Sequence, residues 1–241
     1  MSEHSNTPET PAIQPRHVFS SLPKYAAGKP PTPVEGLKQY KLSSNENPHG
    51  PIPEVARILA DFDATHRYPD PLSTKLRTAL GHHLGVDAHN IVTGAGSLGA
   101  LNQILKAFAG ASLDGTQDEV IYAWRSFEAY PILVGLLGAK SVQIPNLPNG
   151  AHDLNAMAQA VTDRTRVILV CTPNNPTGPA VTEAQMREFL TKIPENVVVV
   201  IDEAYYEFCT ASTVPAGQNA PVNGLNLLND HPNVIELRTF S

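Results

Sequence analysis

Asp202 closes the run Val-Val-Val-Val-Ile-Asp-Glu-Ala-Tyr-Tyr (197–206), so a carboxylate stands at the end of a stretch that is apolar at every position, with Tyr205 three residues on. A carboxylate in that place is costly unless it faces a cation, so the first chemistry to consider is charge pairing with a positively charged ligand. A second stretch, Asn-Ile-Val-Thr-Gly-Ala-Gly-Ser-Leu-Gly-Ala (90–100), matches the G-x-G-x-x-G pattern of a dinucleotide turn. That pattern also requires an acidic residue at the end of the next strand. Here Asp118 and Glu119 precede Val-Ile-Tyr-Ala-Trp, and no acid follows until Glu128. The physics under the motif is broader: a small-residue turn entering a helix aims backbone N–H groups outward at the positive end of the dipole, where any phosphate can bind. The same glycines also fit a plain tight turn. A third stretch, Cys-Thr-Pro-Asn-Asn-Pro-Thr-Gly (171–178), follows an apolar run directly and puts Asn174 and Asn175 at its carboxyl end; by composition it also reads as an ordinary Pro-Asn turn.

Other tempting residues carry less. His82 and His83 are neighbours on a helix-like segment, point to different faces, and read as surface histidines, not a metal pair. Cys171 and Cys209 are far apart and form no C-x-x-C pair, which leaves two buried thiols and no metal site. Trp124 and Arg125 are candidates for touching a substrate, although a lone Trp at a strand end reads more often as core or rim.

The elements that must position these residues alternate. Short β-branched runs at 91–93, 119–123, 140–145, 166–171 and 197–202 are separated by helix-like segments near 98–109, 127–137, 153–161 and 182–192. Two earlier helices fit Pro53 to Asp61 and Leu72 to Leu84. Runs that are apolar throughout are buried on both faces, so the expected fold is α/β with a mainly parallel central sheet flanked by helices, binding ligands at the carboxyl ends of its strands. Residues 1–36, rich in Pro, Ser, Thr and Gly, read as an arm, partly disordered, lying over a surface; 37–241 read as the ligand-binding domain.

Composition excludes several classes. In 241 residues, Lys and Arg number 17 against 23 Asp and Glu, giving −6 with no dense basic run, which argues against a nucleic-acid partner. No segment carries enough uninterrupted apolar residues to span a bilayer, and the start lacks a signal-peptide core, so a cytoplasmic protein with no membrane partner is expected.

Seven strings occur in an order that resembles fold-type I pyridoxal-phosphate aminotransferases of the histidinol-phosphate/aromatic amino acid branch. They are Ser-Asn-Glu-Asn-Pro-His-Gly (44–50), His-Arg-Tyr-Pro-Asp-Pro (66–71), Gly-Ala-Gly-Ser (94–97), Trp-Arg-Ser-Phe-Glu-Ala-Tyr-Pro (124–131), Thr-Pro-Asn-Asn-Pro-Thr-Gly (172–178), Val-Ile-Asp-Glu-Ala-Tyr (200–205) and Leu-Arg-Thr-Phe-Ser (237–241). The resemblance runs from about Leu22 to the last residue. It implies pyridoxal 5′-phosphate as cofactor, Asp202 against the protonated ring nitrogen, Asn175 and Tyr205 on the phenolic oxygen, and Phe127 stacked on the ring. It also implies Gly96, Ser97 and Leu98 as the phosphate cradle, supported by Ser241. Asp202 and Tyr205 are the catalytic candidates, while Asn47 and Tyr25 match substrate-side positions. Tyr68 matches a residue that reaches a neighbour's phosphate, which implies a homodimer. Substrates would be an amino acid, either histidinol phosphate or an aromatic one, with glutamate/2-oxoglutarate as partner.

In the family a lysine that holds the cofactor covalently and moves the reacting proton follows a Thr-Phe-Ser-like string. Here Ser241 is the last residue, so the expectation is a chain shortened just before that lysine and lacking the C-terminal small domain, inactive alone, with uncovered sheet surface that favours aggregation. Two rival functions are a threonine-phosphate decarboxylase-like lyase and, on the Gly94 turn, an NAD-dependent oxidoreductase. A non-catalytic binding module is a third.

Overall fold

The computed structural model describes residues 16–25, 28–29, 31–41, 44–47, 49–209 and 221–241. The first fifteen residues of the expected arm therefore lie outside the described residues. The chain divides into two compact units, Lys24–Ala95 and Gly96–Ser241, the latter joined by the N-terminal segment that ends at Pro23.

The larger unit holds five parallel strands, β1 (Glu119–Trp124), β2 (Lys140–Pro145), β3 (Thr165–Cys171), β4 (Val198–Asp202) and β5 (Val234–Leu237), in the order β2-β1-β3-β4-β5. Its helices are α3 (Gly96–Phe108), α4 (Tyr130–Leu136), α5 (Leu154–Gln159) and α6 (Glu183–Leu190). Because successive strand residues point to opposite faces, β1, β3, β4 and β5 each feed two cores, while the edge strand β2 adds Val142 and Ile144 to one of them. Ile121, Ile168, Val170, Val199 and Ile201 pack on Met157 of α5 and on Met186, Phe189 and Leu190 of α6. Val120, Tyr122, Val167, Leu169, Cys171 and Val200 pack on Leu101 and Leu105 of α3 and on Tyr130 and Val134 of α4. Burial on both faces is the reason β1, β3 and β4 carry no polar alternation, whereas the edge strand β2 alternates. Four of the expected strands are observed, β5 forms in addition to them, and at 91–93 the chain is extended but joins no ladder. That segment belongs to the 24–95 unit, its Val92 is exposed, and no partner backbone pairs with it among the described residues, so β-branched composition alone does not make it a strand.

At the amino ends of the strands Glu119, closed to water, accepts hydrogen bonds from Lys140 (2.9 Å), Arg164 (2.8 Å) and Thr162 (2.7 Å), tying the starts of β1, β2 and β3. Burial pushes its pKa up, but the bonds from Thr162 and Lys140 and the nearby charges pull harder, leaving it below the usual carboxylate value. A lowered pKa contributes stability above the unfolded value that is lost as pH falls through the folded one. Glu119→Gln should therefore cost about 1–2 kcal/mol at neutral pH, discounted because Lys140 and Arg164 keep much of their surface in water, and the loss should vanish in acid. Urea unfolding at two pH values checks this.

The segment before Pro23 lies on α4. Arg16 donates to the Leu136 carbonyl at 3.4 Å, and a Cβ on Gly135 would come within 2.6 Å of Leu22 Cδ2, so a larger residue there would oblige the end of that leucine to shift. The 24–95 unit contains α1 (Pro53–Ala60) and α2 (Thr74–Leu84), the latter ending at Gly85 in the left-handed conformation (φ 71°) and held to Ala88 by Arg77. His82 and His83 are exposed. Both cysteines are free; Cys171 is buried and Cys209 is half-buried, not fully enclosed as expected. Among the described residues no helix is long and apolar enough to cross a membrane, and no cluster of three or more potential metal ligands occurs.

Candidate active site at the carboxyl edge of the sheet

Chain order sets where a crevice opens. From β1 the chain steps outward to β2, then returns to the far side of β1 as β3 and continues to β4 and β5. The connections after β1 and β3 thus leave in opposite directions, which opens a cleft at their carboxyl ends. Phe127 follows β1, Asn174 and Asn175 follow β3, Tyr205 follows β4, and Thr239 to Ser241 follow β5.

Asp202 is the last residue of β4, paired in register with Cys171 and Leu237. Alternation along β4 turns it to the same face as Val200, toward α4. There the Tyr130 hydroxyl donates to its Oδ2 at 2.6 Å, and the Ala204 N–H reaches Oδ1 at 3.2 Å. The carboxyl is 5% exposed and no cation is among its bonded partners or among the causes of its shift. Burial raises its pKa, offset in part by the Tyr130 and Ala204 bonds. Burial also drives the Tyr130 hydroxyl well above its usual value and the Cys171 thiol up to about 12, in each case helped by the Asp202 charge.

Sequence reasoning missed Tyr130. It is fully buried, its ring meets those of Phe127 and Tyr122 edge-on with centroids 5.6 Å away in each case, and so one residue touches both the ring-stacking candidate and Asp202. A signal existed, since Tyr130 stands three residues after Phe127 at the start of α4, but its partner is 72 positions away. Tyr130→Phe removes the shorter of the two bonds to a buried carboxylate; we expect a loss of about 1–2 kcal/mol at neutral pH and a further rise in the Asp202 pKa, read by denaturant unfolding as a function of pH.

Asn174 is buried and organises the turn after β3: its amide donates to the Arg125 carbonyl (3.0 Å) and Thr177 Oγ1 (2.7 Å), while Ser126 Oγ donates to its Oδ1 (2.7 Å). That leaves the neighbouring Asn175 half-buried at the cleft. Tyr205 is half-buried with its ring against Phe208. Trp124 is half-buried, with the Arg125 guanidinium over its ring at 5.3 Å.

Gly96 opens α3 with φ 66°, a conformation that favours glycine, and the first turn contains no acidic side chain to compete for an anion. A Cβ on Gly96 would lie 3.8 Å from Thr239 Oγ1, and Thr239 Oγ1 is 2.7 Å from Ser241 Oγ. Two hydroxyls thus stand near the turn, with Thr239 the second residue that sequence reasoning overlooked. Gly96, Leu98 and Ser241 are exposed and Ser97 half-buried.

Tyr25, Asn47 and Tyr68 belong to the 24–95 unit. Tyr25 and Tyr68 are exposed, and Asn47 Oδ1 accepts the His49 N–H at 3.0 Å. The lysines of the larger unit are Lys106 in the last turn of α3, Lys140 at the first residue of β2 and Lys192 just past α6, all leading into the amino ends of strands, away from Asp202.

The residues present suit a flat cationic ring with a phosphate tail: a buried acid without a cation, a neighbouring aromatic face, and an open helix start with two hydroxyls. Comparison with known proteins agrees. The model of the family "Aminotransferase class I and II" matches residues 38–241. Curated relatives include the aromatic amino acid aminotransferases of Streptomyces coelicolor (46% identical over 94% of this chain and 60% of its own length) and Thermobifida fusca (47% over 94% and 59%). The chain therefore spans about three fifths of these relatives. Among solved structures, histidinol-phosphate aminotransferase from Sinorhizobium meliloti in complex with pyridoxal-5′-phosphate aligns at TM-score 0.70 and 30% identity, over 82% of this chain and 51% of that one. The all-parallel sheet with helices on both faces is the fold-type I arrangement of that neighbour. With a family match over most of its length, the chain belongs to the class I and II aminotransferases.

Proposed function

We propose that the complete protein is a pyridoxal-phosphate-dependent aminotransferase that exchanges the amino group of an aromatic amino acid or histidinol phosphate with 2-oxoglutarate, as a cytoplasmic homodimer. The observation that carries this reading is Asp202: a buried carboxylate with no cationic partner at the cleft, which a protonated pyridine nitrogen would neutralise. The relatives named aromatic amino acid aminotransferases, at 46–47% identity, favour the aromatic substrate.

When bound, pyridoxal phosphate supplies an electron sink for the α-carbon of the amino acid. The residues of this chain hold and tune that group. Asp202 would keep the ring nitrogen protonated, with its carboxylate held by the Tyr130 hydroxyl. Phe127 would cover one ring face and exclude water, while Asn175 and Tyr205 would hydrogen-bond the phenolic oxygen. The N–H groups of Gly96, Ser97 and Leu98 with the Ser241 hydroxyl would receive the phosphate. The family resemblance gives Asn47 and Tyr25 a substrate-side role and Tyr68 a role at the partner subunit's site. Among the described residues of the larger unit no lysine stands at the carboxyl edge of the sheet, so the 241-residue chain by itself is expected to bind the cofactor weakly and not to turn over.

Keto-acid formation by the full-length gene product, with phenylalanine and with histidinol phosphate as donors, tests the proposal. Turnover of phenylalanine supports the aromatic reading, turnover of histidinol phosphate alone reassigns the donor, and silence on both, or release of carbon dioxide, overturns it.

A further inference from the structure

Behind Asp202 lies a second set of buried ionisable groups that none of these contacts uses. Glu203 follows Asp202 out of β4, and Glu236 and Arg238 come from β5 and its continuation. Their side chains are 0%, 6% and 20% exposed. Arg238 Nη2 stands 3.3 Å from Glu203 Oε2 and donates to Asn223 Oδ1 at 3.0 Å; its Nε meets Glu236 Oε1, and the guanidinium lies 3.7 Å over the Tyr206 ring. The Gly224 N–H donates to both Glu203 oxygens, at 3.1 and 3.2 Å. The two carboxyls meet on that one guanidinium, and a Cβ on Gly224 would touch both side chains, 3.5 Å from Glu203 Oε2 and 3.1 Å from Glu236 Cγ.

Two ionised carboxylates on a single guanidinium would leave one negative charge uncompensated where water is excluded. We propose that Glu203 and Glu236 share one proton in the folded protein, forming with Arg238 a neutral set that positions the end of β5 and holds residues 239–241 at the Gly96 turn. The proton sharing stands on its own; its relevance to a phosphate rests on the reading under Proposed function.

The mechanical link is short. The Glu203 N–H donates to the Leu237 carbonyl at 2.8 Å, Arg238 follows, and Thr239 comes next with its hydroxyl near Gly96. Among the described residues, the groups facing Glu203 are Glu236 and Arg238 from β5 and its continuation, Tyr206 and Cys209 from the 3-10 turn Tyr206–Cys209, and the uncharged Asn223 and Gly224 from the segment before β5. Burial first, then the Glu236 carboxyl, pushes Glu203 up to about 9 against the pull of Arg238. A raised pKa means that the set's contribution to stability is complete below the unfolded value and is lost as pH rises through the folded one. The departing proton goes to solvent, leaving two anions on one guanidinium.

Thermal unfolding of the ligand-free chain from about pH 7 to about pH 10 tests this against Glu236→Gln, whose amide supplies a permanent donor in the same volume. The unsubstituted chain should lose roughly 5 °C more than the variant across that range, and equal losses would overturn the proposal. If Glu236→Gln does not fold, Glu203→Gln makes the same comparison from the other side. A third readout needs no variant: hydrogen exchange of the 234–241 peptide, corrected for intrinsic pH effects, should lose roughly tenfold protection over the range while the β3 peptide does not, and uniform behaviour would overturn it. Inorganic phosphate affinity, followed by thermal shift, should fall with the same midpoint. Should the proton sharing hold and phosphate not respond, the phosphate placement fails, not the shared proton.

Discussion

Asp202→Asn should weaken pyridoxal phosphate binding by roughly 10–100-fold while leaving the ligand-free chain as stable as before, or more so. The first half follows because a hydrogen bond between charged partners contributes about 1.5–3 kcal/mol and the amide carries no charge to offset the pyridinium. The second half follows from burial. Burial raises the Asp202 pKa, and the Tyr130 and Ala204 bonds offset this only in part. A raised pKa contributes stability that is complete below the unfolded value and lost as pH rises through the folded one, so at neutral pH the ionised group is a burden on the empty site. Asparagine removes that charge and keeps an acceptor for the Tyr130 hydroxyl. Gaining stability while losing ligand is the signature of a group kept for function. Titration with pyridoxal phosphate, followed by absorbance or fluorescence, measures the affinity, and a thermal melt measures stability; unchanged affinity would remove the central support for the cofactor assignment.

Leu105→Ala should be the most destabilising of the substitutions considered, at about 3–4 kcal/mol, or roughly 10 °C in the unfolding midpoint. Leu105 is 0% exposed and belongs to the core that joins α3 and α4 to the sheet. Truncation there leaves a cavity among residues whose backbones are held by the β-ladder, so little of the void can close. The effect should reach the ligand as well, because α3 carries the Gly96 turn at its start. Phosphate affinity is expected to fall in the same variant, although Leu105 stands nine residues from Gly96. Leu113, fully exposed, is the control: Leu113→Ala should change neither quantity. Equal melts for Leu105→Ala and the parent would mean that α3 does not pack on the sheet as described.

Much of the fold was legible because its periodicities are local. Continuous apolar runs such as Val-Val-Val-Val-Ile imply two covered faces and hence a parallel sheet, and β2 was bounded to the residue. The stretch 91–93 shows the limit. Its composition is that of a strand, but a strand exists only when another backbone satisfies its N–H and C=O groups, and composition does not reveal whether one is present.

Sequence alone picked out the candidate residues and placed them at the ends of buried elements: Asp202 at the end of an apolar run, Asn174 and Asn175 after another, and a glycine turn entering a helix. Tertiary structure decided what each of them touches. Tyr130 reaches Asp202 only because α4 packs on the face toward which β4 turns that carboxylate, and Glu203 meets Glu236 and Arg238 only because β5 pairs beside β4. Contacts between residues 72 or 35 positions apart depend on strand order and helix placement, and these are settled by the collective burial of apolar surface, which no local pattern encodes.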